Sequence, residues 1–288
     1  MRVNKIYPYL LVAPAMLLIA AVSLYPTLYS LWLSLQRFRR GVASFGGLTN
    51  YQFLVTDDNF WNALRVTLIF GVFFVLITMV FSFVLALVFN RRLRFGPLYM
   101  TIIFIPWMLS EVVSGIMFLW IFNFGIADAL VAPFFGEGYQ FLASPVGAMG
   151  VIILATVWRS LAFAMLIVLA GLQTVSREIY EAAGLDGANR WQTFWQITWP
   201  LLLPTTTVTI LLLSIQAVNA TGMFLSITRG GPGRSTEALS LYMYNQVARP
   251  PFDFGYGAAI SVVMFLLNMA LAIFYIRTLR RESTTAAA

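Results

Sequence analysis

The strongest constraint in this chain is the recurrence of long stretches that carry no charge. Val66 to Phe89 contains no charged residue, and neither does Tyr256 to Ile276. A helix needs about 20 apolar residues to cross the hydrocarbon of a bilayer. Backbone polar groups in hydrocarbon have to be satisfied internally, which leaves only helices or closed barrels. A barrel strand reads as about ten residues of alternating polarity. The stretches here are continuously apolar, so the chain reads as a bundle of membrane helices, all-α in class.

Composition agrees. Of 288 residues, 60% are hydrophobic and 10% charged, where soluble domains average about 25% charged. Cys and His are absent. Thiol chemistry, disulfides and the commonest zinc sites are thereby excluded, and so is the usual general base near neutral pH. No catalytic residue and no metal are expected. The net charge of +7 could suggest nucleic acid. The basic residues gather at the ends of apolar stretches, however, where membrane topology accounts for them.

Six spans are expected, at about 6–36, 62–90, 97–123, 146–172, 200–225 and 256–277, in a single transmembrane domain over 1–288. The first is too long for a signal-peptide core and lacks a small-residue cleavage site, so it reads as a retained helix. Orientation follows from Lys and Arg in the connecting segments. Arg2, Lys5, Arg91, Arg92, Arg94, Arg177, Arg190, Arg277, Arg280 and Arg281 fall on one side. They outnumber Arg37, Arg39, Arg40, Arg65, Arg229, Arg234 and Arg249 on the other. This places both termini and residues 173–199 in the cytoplasm and 226–255 outside. The Arg37-Arg39-Arg40 cluster runs against the rule, and is expected to snorkel from the end of a long first helix.

Ionisable residues inside spans are costly and usually functional. Two are candidates, Glu111 in the third span and Arg159 in the fourth. They can pair with each other or with a second subunit. Arg159 beside Trp158 can also meet a hydroxyl-rich solute by stacking and hydrogen bonding. Gln216 and Asn219 share one face of the fifth span. They either line a polar path or tie helices together.

Residues 173–199 form a polar, helix-prone island between two apolar spans. Ser176 is a candidate N-cap, with Glu178 and Glu181 in the first turns. Gly184 or Gly187 can end that helix. Asp186 is expected to cap a second helix from Gly187 to about Thr198, with Trp191, Phe194, Trp195 and Thr198 on one face. Pro200 suits the start of the next span. On physical grounds two readings stay open. The helix lies on the lipid surface, or it inserts into a partner's groove. In the second reading Ala182, Ala183 and Gly187 allow close approach, and Glu181 and Asp186 offer charge.

Glu181, Ala182, Ala183, Gly187, Ile197 and Pro200 fit the spacing EAA, three residues, Gly, nine residues, Ile, one residue, Leu-Pro. Trp199 stands where that pattern has Leu. The segment resembles the EAA loop of membrane subunits of ATP-binding-cassette importers. The likeness extends along nearly the whole chain, to the carbohydrate branch of those permeases (the group of the maltose permease F and glycerol-phosphate permease A subunits). Tyr7-Pro8-Tyr9-Leu10 with Tyr25-Pro26 resembles its first helix. Gly47 to Tyr51, then Phe60 to Arg65, resembles its first outer loop. Thr228 to Gly233, Ser235-Thr236-Glu237 and Leu241 to Tyr244 resemble its last outer loop, with Arg229 in place of a Gly.

The resemblance implies a type I importer permease fold with six transmembrane helices, forming half of a sugar translocation path. It implies a second homologous permease subunit, two ATPase subunits docked at Glu181, Ala182, Ala183, Asp186 and Gly187, and an external solute-binding protein. ATP and Mg would sit on the ATPase chains, and no cofactor on this one. No Walker A sequence occurs here, which fits that division. The implied location is a bacterial or archaeal plasma (inner) membrane. Glycerol phosphate or another small polar solute is the alternative cargo. A secondary transporter would show inverted repeats and several intramembrane carboxylates, and only Glu111 qualifies.

Overall fold

The computed structural model describes residues 7–39, 42–91, 93–124 and 140–285. Residue 6 of the first expected span, and Arg2, Lys5, Arg40 and Arg92 of the orientation argument, lie outside them. Among the described residues five helices are long and apolar enough to cross a membrane, or six when one bent pair counts as a span. The chain divides into two compact units, Met1–Phe60 with Tyr242–Leu266, and Trp61–Leu241 with Leu267–Ala288.

The first unit opens with α1 (Tyr7–Ile19), a π turn (Ala20–Leu24) and α2 (Tyr25–Ser34). Pro26 lies at the start of α2 and has no N–H to give to the preceding turn, a common setting for a helix irregularity. A hairpin follows, β1 (Gln36–Arg39) with β2 (Val42–Phe45), in the register Gln36↔Phe45 and Arg39↔Val42. Arg37 and Arg39 therefore lie on a strand. The first helix stops at Ser34 because Asn50, in α3 (Thr49–Thr56), claims the chain beyond it. Its Nδ2 donates to the carbonyls of Ser34 and Gln36, each at 2.8 Å. Gly255 packs against the same place. A Cβ there would lie 2.0 Å from the Gln36 oxygen.

The unit also holds a buried polar knot. The Asp57 carboxylate accepts the hydroxyls of Tyr242 and Tyr256, each at 2.5 Å, and the Asn59 N–H at 3.0 Å. Burial alone would raise the Asp57 carboxyl. The hydrogen bonds from Tyr242, Tyr256 and Asn59 outweigh it and hold the group below its ordinary value of 3.8.

The second unit carries α4 (Asp58–Phe89) almost entirely, α5 (Gly96–Met108), α6 (Glu111–Asn123), α7 (Pro145–Thr174), α8 (Arg177–Leu185) and α9 (Arg190–Thr193). A π turn (Phe194–Thr198), α10 (Trp199–Asn219) and α11 (Thr221–Ile227) follow. Two helices straddle the units, α12 (Leu239–Ala248) and α13 (Phe254–Thr285). Helix α7 is the central post, with 56% of its apolar window buried. Its buried face repeats small residues, Ala148, Ala155, Ala162 and Gly171. Small residues let membrane helices approach closely, and a Cβ on Gly171 would meet Thr205 at 2.8 Å. Phe70, Phe74 and Phe224 fill the core beside it, Phe224 edge-on to Phe70 at 4.8 Å.

Two differences from the sequence reading concern breaks. The expected unbroken span 97–123 is two helices, α5 and α6, bent by 96°. Leu109 and Ser110 are extended there, and Ser110 caps α6 by accepting the Val113 N–H at 3.2 Å. The expected fifth span at 200–225 stops at Asn219, and Ala220 (φ −73, ψ 69) separates α10 from α11.

Candidate functional site

The 173–199 segment is the first candidate. Helix α8 ends at Leu185, and Asp186 and Ala188 close its last turn by donating to the Ala182 and Ala183 carbonyls, both at 3.0 Å. Gly187 has φ +78, the left-handed conformation that glycine takes at helix ends. Asp186 does not cap the next helix, as the sequence reading had expected. Asn189 does. Its side chain accepts the Gln192 N–H, and the Gln192 side chain accepts the Asn189 N–H, both at 2.9 Å. This reciprocal box satisfies two otherwise orphan donors, whereas Asp186 sits at the end of α8. Ser176 occupies the N-cap position of α8 without a side-chain cap bond.

Glu181, Ala182, Asp186 and Gly187 are exposed and Ala183 is buried. Leu185 is 90% exposed and Trp191 70%. The aromatic face is divided: Trp191 and Trp195 pack edge-on at 5.6 Å in the open, while Thr198 is buried against Tyr180. There is no break at Pro200. Residues Arg190–Asn219 run on as one helix of 30 residues, and Pro200 lies just past the π turn Phe194–Thr198, the kind of helix irregularity that goes with a proline's missing N–H.

The second candidate lies at the two helix breaks. Breaking a membrane helix frees backbone groups that need partners. Arg159, on α7, donates its Nε to the Leu109 carbonyl at 2.9 Å and faces Glu111 at 3.8 Å. The other Glu111 oxygen accepts the Gly222 N–H at 3.2 Å. Gly222 is in the first turn of α11, where N–H groups have no helical acceptor and a carboxylate suits the helix dipole. One Arg–Glu pair therefore stitches both breaks. Close contact between α6 and α11 permits it: a Cβ on Gly222 would lie 2.7 Å from that of Glu111, and one on Gly115 would lie 1.8 Å from the Ser226 Oγ.

The structure thus brings Glu111 and Arg159 together and leaves Gln216 one step away. Gln216 donates to the Ser160 Oγ at 2.7 Å, the interhelical option. Asn219 is exposed and folds back onto its own helix, at Ile215 O. Trp158 packs on Phe118 at 5.4 Å. Sequence reasoning passed over Ser160, Gly222 and the Leu109 carbonyl. The Ser110-Glu111 pair, a cap followed by a first-turn acid, was the signal that a helix starts there.

A polytopic helical membrane protein with an exposed amphipathic loop and polar-stitched broken helices is the class this geometry defines. Residues 78–281 match the family of binding-protein-dependent transport system inner membrane components, and the chain belongs to that family. It is 37% identical over 278 residues to the lactose transport system permease protein LacF of Rhizobium radiobacter, covering 94% of this chain and 93% of that one. It is 32% identical over 283 residues to the sn-glycerol-3-phosphate transport system permease protein UgpA of Agrobacterium fabrum, covering 97% and 96%. Among solved structures, a bacterial alginate ABC transporter crystallised with an alginate pentasaccharide-bound periplasmic protein superposes with a TM-score of 0.80 at 19% identity, over 96% of this chain and 94% of that chain. At that identity the likeness is one of fold, the type I importer permease fold.

Proposed function

We propose that this chain is the F-type permease subunit of an ATP-driven sugar importer. It forms half of the translocation path with a second, homologous permease. The observation that carries the reading is the exposed segment from Glu181 to Gly187, with the EAA spacing, directly ahead of the unbroken helix Arg190–Asn219. Exposed Leu185 and Trp191 give this segment an apolar tip for a groove on a cytoplasmic ATPase, with Glu181 and Asp186 beside it. ATP and Mg are held by two such ATPases and none by this chain. The Lys and Arg distribution supports cytoplasmic termini in an inner membrane. An external solute-binding protein delivers the cargo to the side of residues 226–255.

A sugar cargo is favoured by the relationship to LacF and by the last-loop sequence Thr228 to Tyr244. Glycerol phosphate is the second reading, favoured by the match to UgpA. Uptake of labelled disaccharides and of glycerol 3-phosphate by cells lacking this gene separates the two. Loss of sugar uptake alone is expected. Unchanged uptake of every sugar, with loss of glycerol 3-phosphate uptake, would overturn the sugar assignment.

A further inference from the structure

The ends of three apolar spans meet around a cavity of about 610 Å³. Its wall includes Leu87, Asn90 and Arg91 at the end of α4, and Tyr180, Arg190 and Phe194 from the 173–199 segment. Among the described residues no carboxylate lines it. Among the described residues the ion pairs are Arg159–Glu111 and Arg234–Glu237, so the charges of Arg91 and Arg190 are left unneutralised.

Both arginines sit where apolar helix gives way to polar chain, the depth of lipid headgroups. Arg91 follows the last turn of α4 at Phe89, and Arg190 opens the helix that becomes a span. Trp195 is exposed further along the helix that Arg190 opens, and tryptophan collects at that depth. A guanidinium matches a phosphate with paired donors. Tyr180 accepts a hydrogen bond from Thr198, which leaves its own hydroxyl proton to donate, and the Asn90 amide adds further donors. Leu87 and Phe194 supply apolar wall next to these groups. A free phosphate gains nothing from such a wall, whereas a glycerol backbone and acyl chain do.

We propose that this cavity binds the headgroup phosphate of an anionic phospholipid, whose acyl chains lie along the exposed apolar side of α4. The site is independent of which solute the importer carries. The full chain, purified with the subunits that accompany it, is placed in nanodiscs of mixed phosphatidylcholine and phosphatidylglycerol, and retained lipid is identified by native mass spectrometry. The wild type is expected to retain phosphatidylglycerol preferentially. The pair Arg91→Gln and Arg190→Gln is expected to cut that preference about tenfold. The corresponding Lys pair keeps most of it, and Arg177→Gln, an exposed residue away from the cavity wall, leaves it unchanged. Equal retention by wild type and the Gln pair overturns the proposal. So does displacement of the lipid by inorganic phosphate, which would mark a site for a soluble anion. If the Gln pair fails to assemble, Arg91→Gln alone, at an exposed position, carries the same comparison.

Discussion

Arg159 donates its Nε to the carbonyl of Leu109, at the point where α5 and α6 part company. The charge of Arg159 is therefore committed to holding a bend, with Glu111 completing the arrangement on the far side.

Replacing Arg159 with Met strands both the Leu109 carbonyl and the Glu111 carboxylate. Removing one member of a largely buried pair is costly, and a loss of about 2 kcal/mol is expected at 17% and 30% side-chain exposure. Adding Glu111→Gln removes the orphaned charge and is expected to recover part of that loss. Thermal melting of the purified complex reads both effects. A normal melting temperature in Arg159→Met, with only the KM for solute raised, would mean that Arg159 serves the solute path instead.

Gly187→Asp places bulk and charge on the proposed docking surface. A Cβ at this position meets nothing within 4 Å, so the chain itself has room for it. The left-handed φ of +78 costs a side chain about 1 kcal/mol. Membrane insertion is expected to persist while uptake falls at least tenfold. Retained uptake in this variant sinks the coupling assignment.

Gly115→Val puts a side chain where α6 and α11 touch. The first added carbon would lie 1.8 Å from the Ser226 Oγ and 2.9 Å from its Cβ. Overpacking of this kind costs about 1–3 kcal/mol, and a lower yield of folded protein is expected. Gly115→Ala combined with Ser226→Gly should restore most of the loss seen in Gly115→Ala alone. No restoration, measured by detergent-stable yield, would show that the contact does not limit packing.

The Asp57 knot carries a pH signature. Its carboxyl is held below the ordinary 3.8, so its contribution to stability is complete above that value and is lost as pH falls through the lowered one. Protection of the 49–60 segment from acid protease is expected to persist in the wild type down to the ordinary carboxyl value of 3.8 and to be lost only below it. Asp57→Asn is expected to be weakened already near neutrality and to show less change on acidification at this site. Identical pH profiles for the two proteins would exclude the knot as the cause.

The periodicity-free apolar runs made the spans readable, because hydrocarbon demands the same thing of every residue that meets it. The breaks were harder. Pro106 and Ser110 are ordinary in isolation. The 96° bend becomes favourable only because Arg159, some 50 residues further on, supplies a donor to Leu109. Gly187 was legible as a helix end because its conformation is a local property. Asp186 was the expected second cap, and Asn189 went unnoticed because its role depends on the reciprocal partner Gln192. For Gln216 the sequence offered two roles, and only the position of Ser160 on α7 separates them.

The unbroken helix from Arg190 to Asn219 has a mechanical consequence. Its 30 residues make a rod about 45 Å long. Force applied at Trp191 needs no relay of side chains to reach Asn219. A tilt of about 5° at one end of such a rod sweeps the other through about 4 Å, and the π turn at Phe194–Thr198 and Pro204 mark where this crank can give.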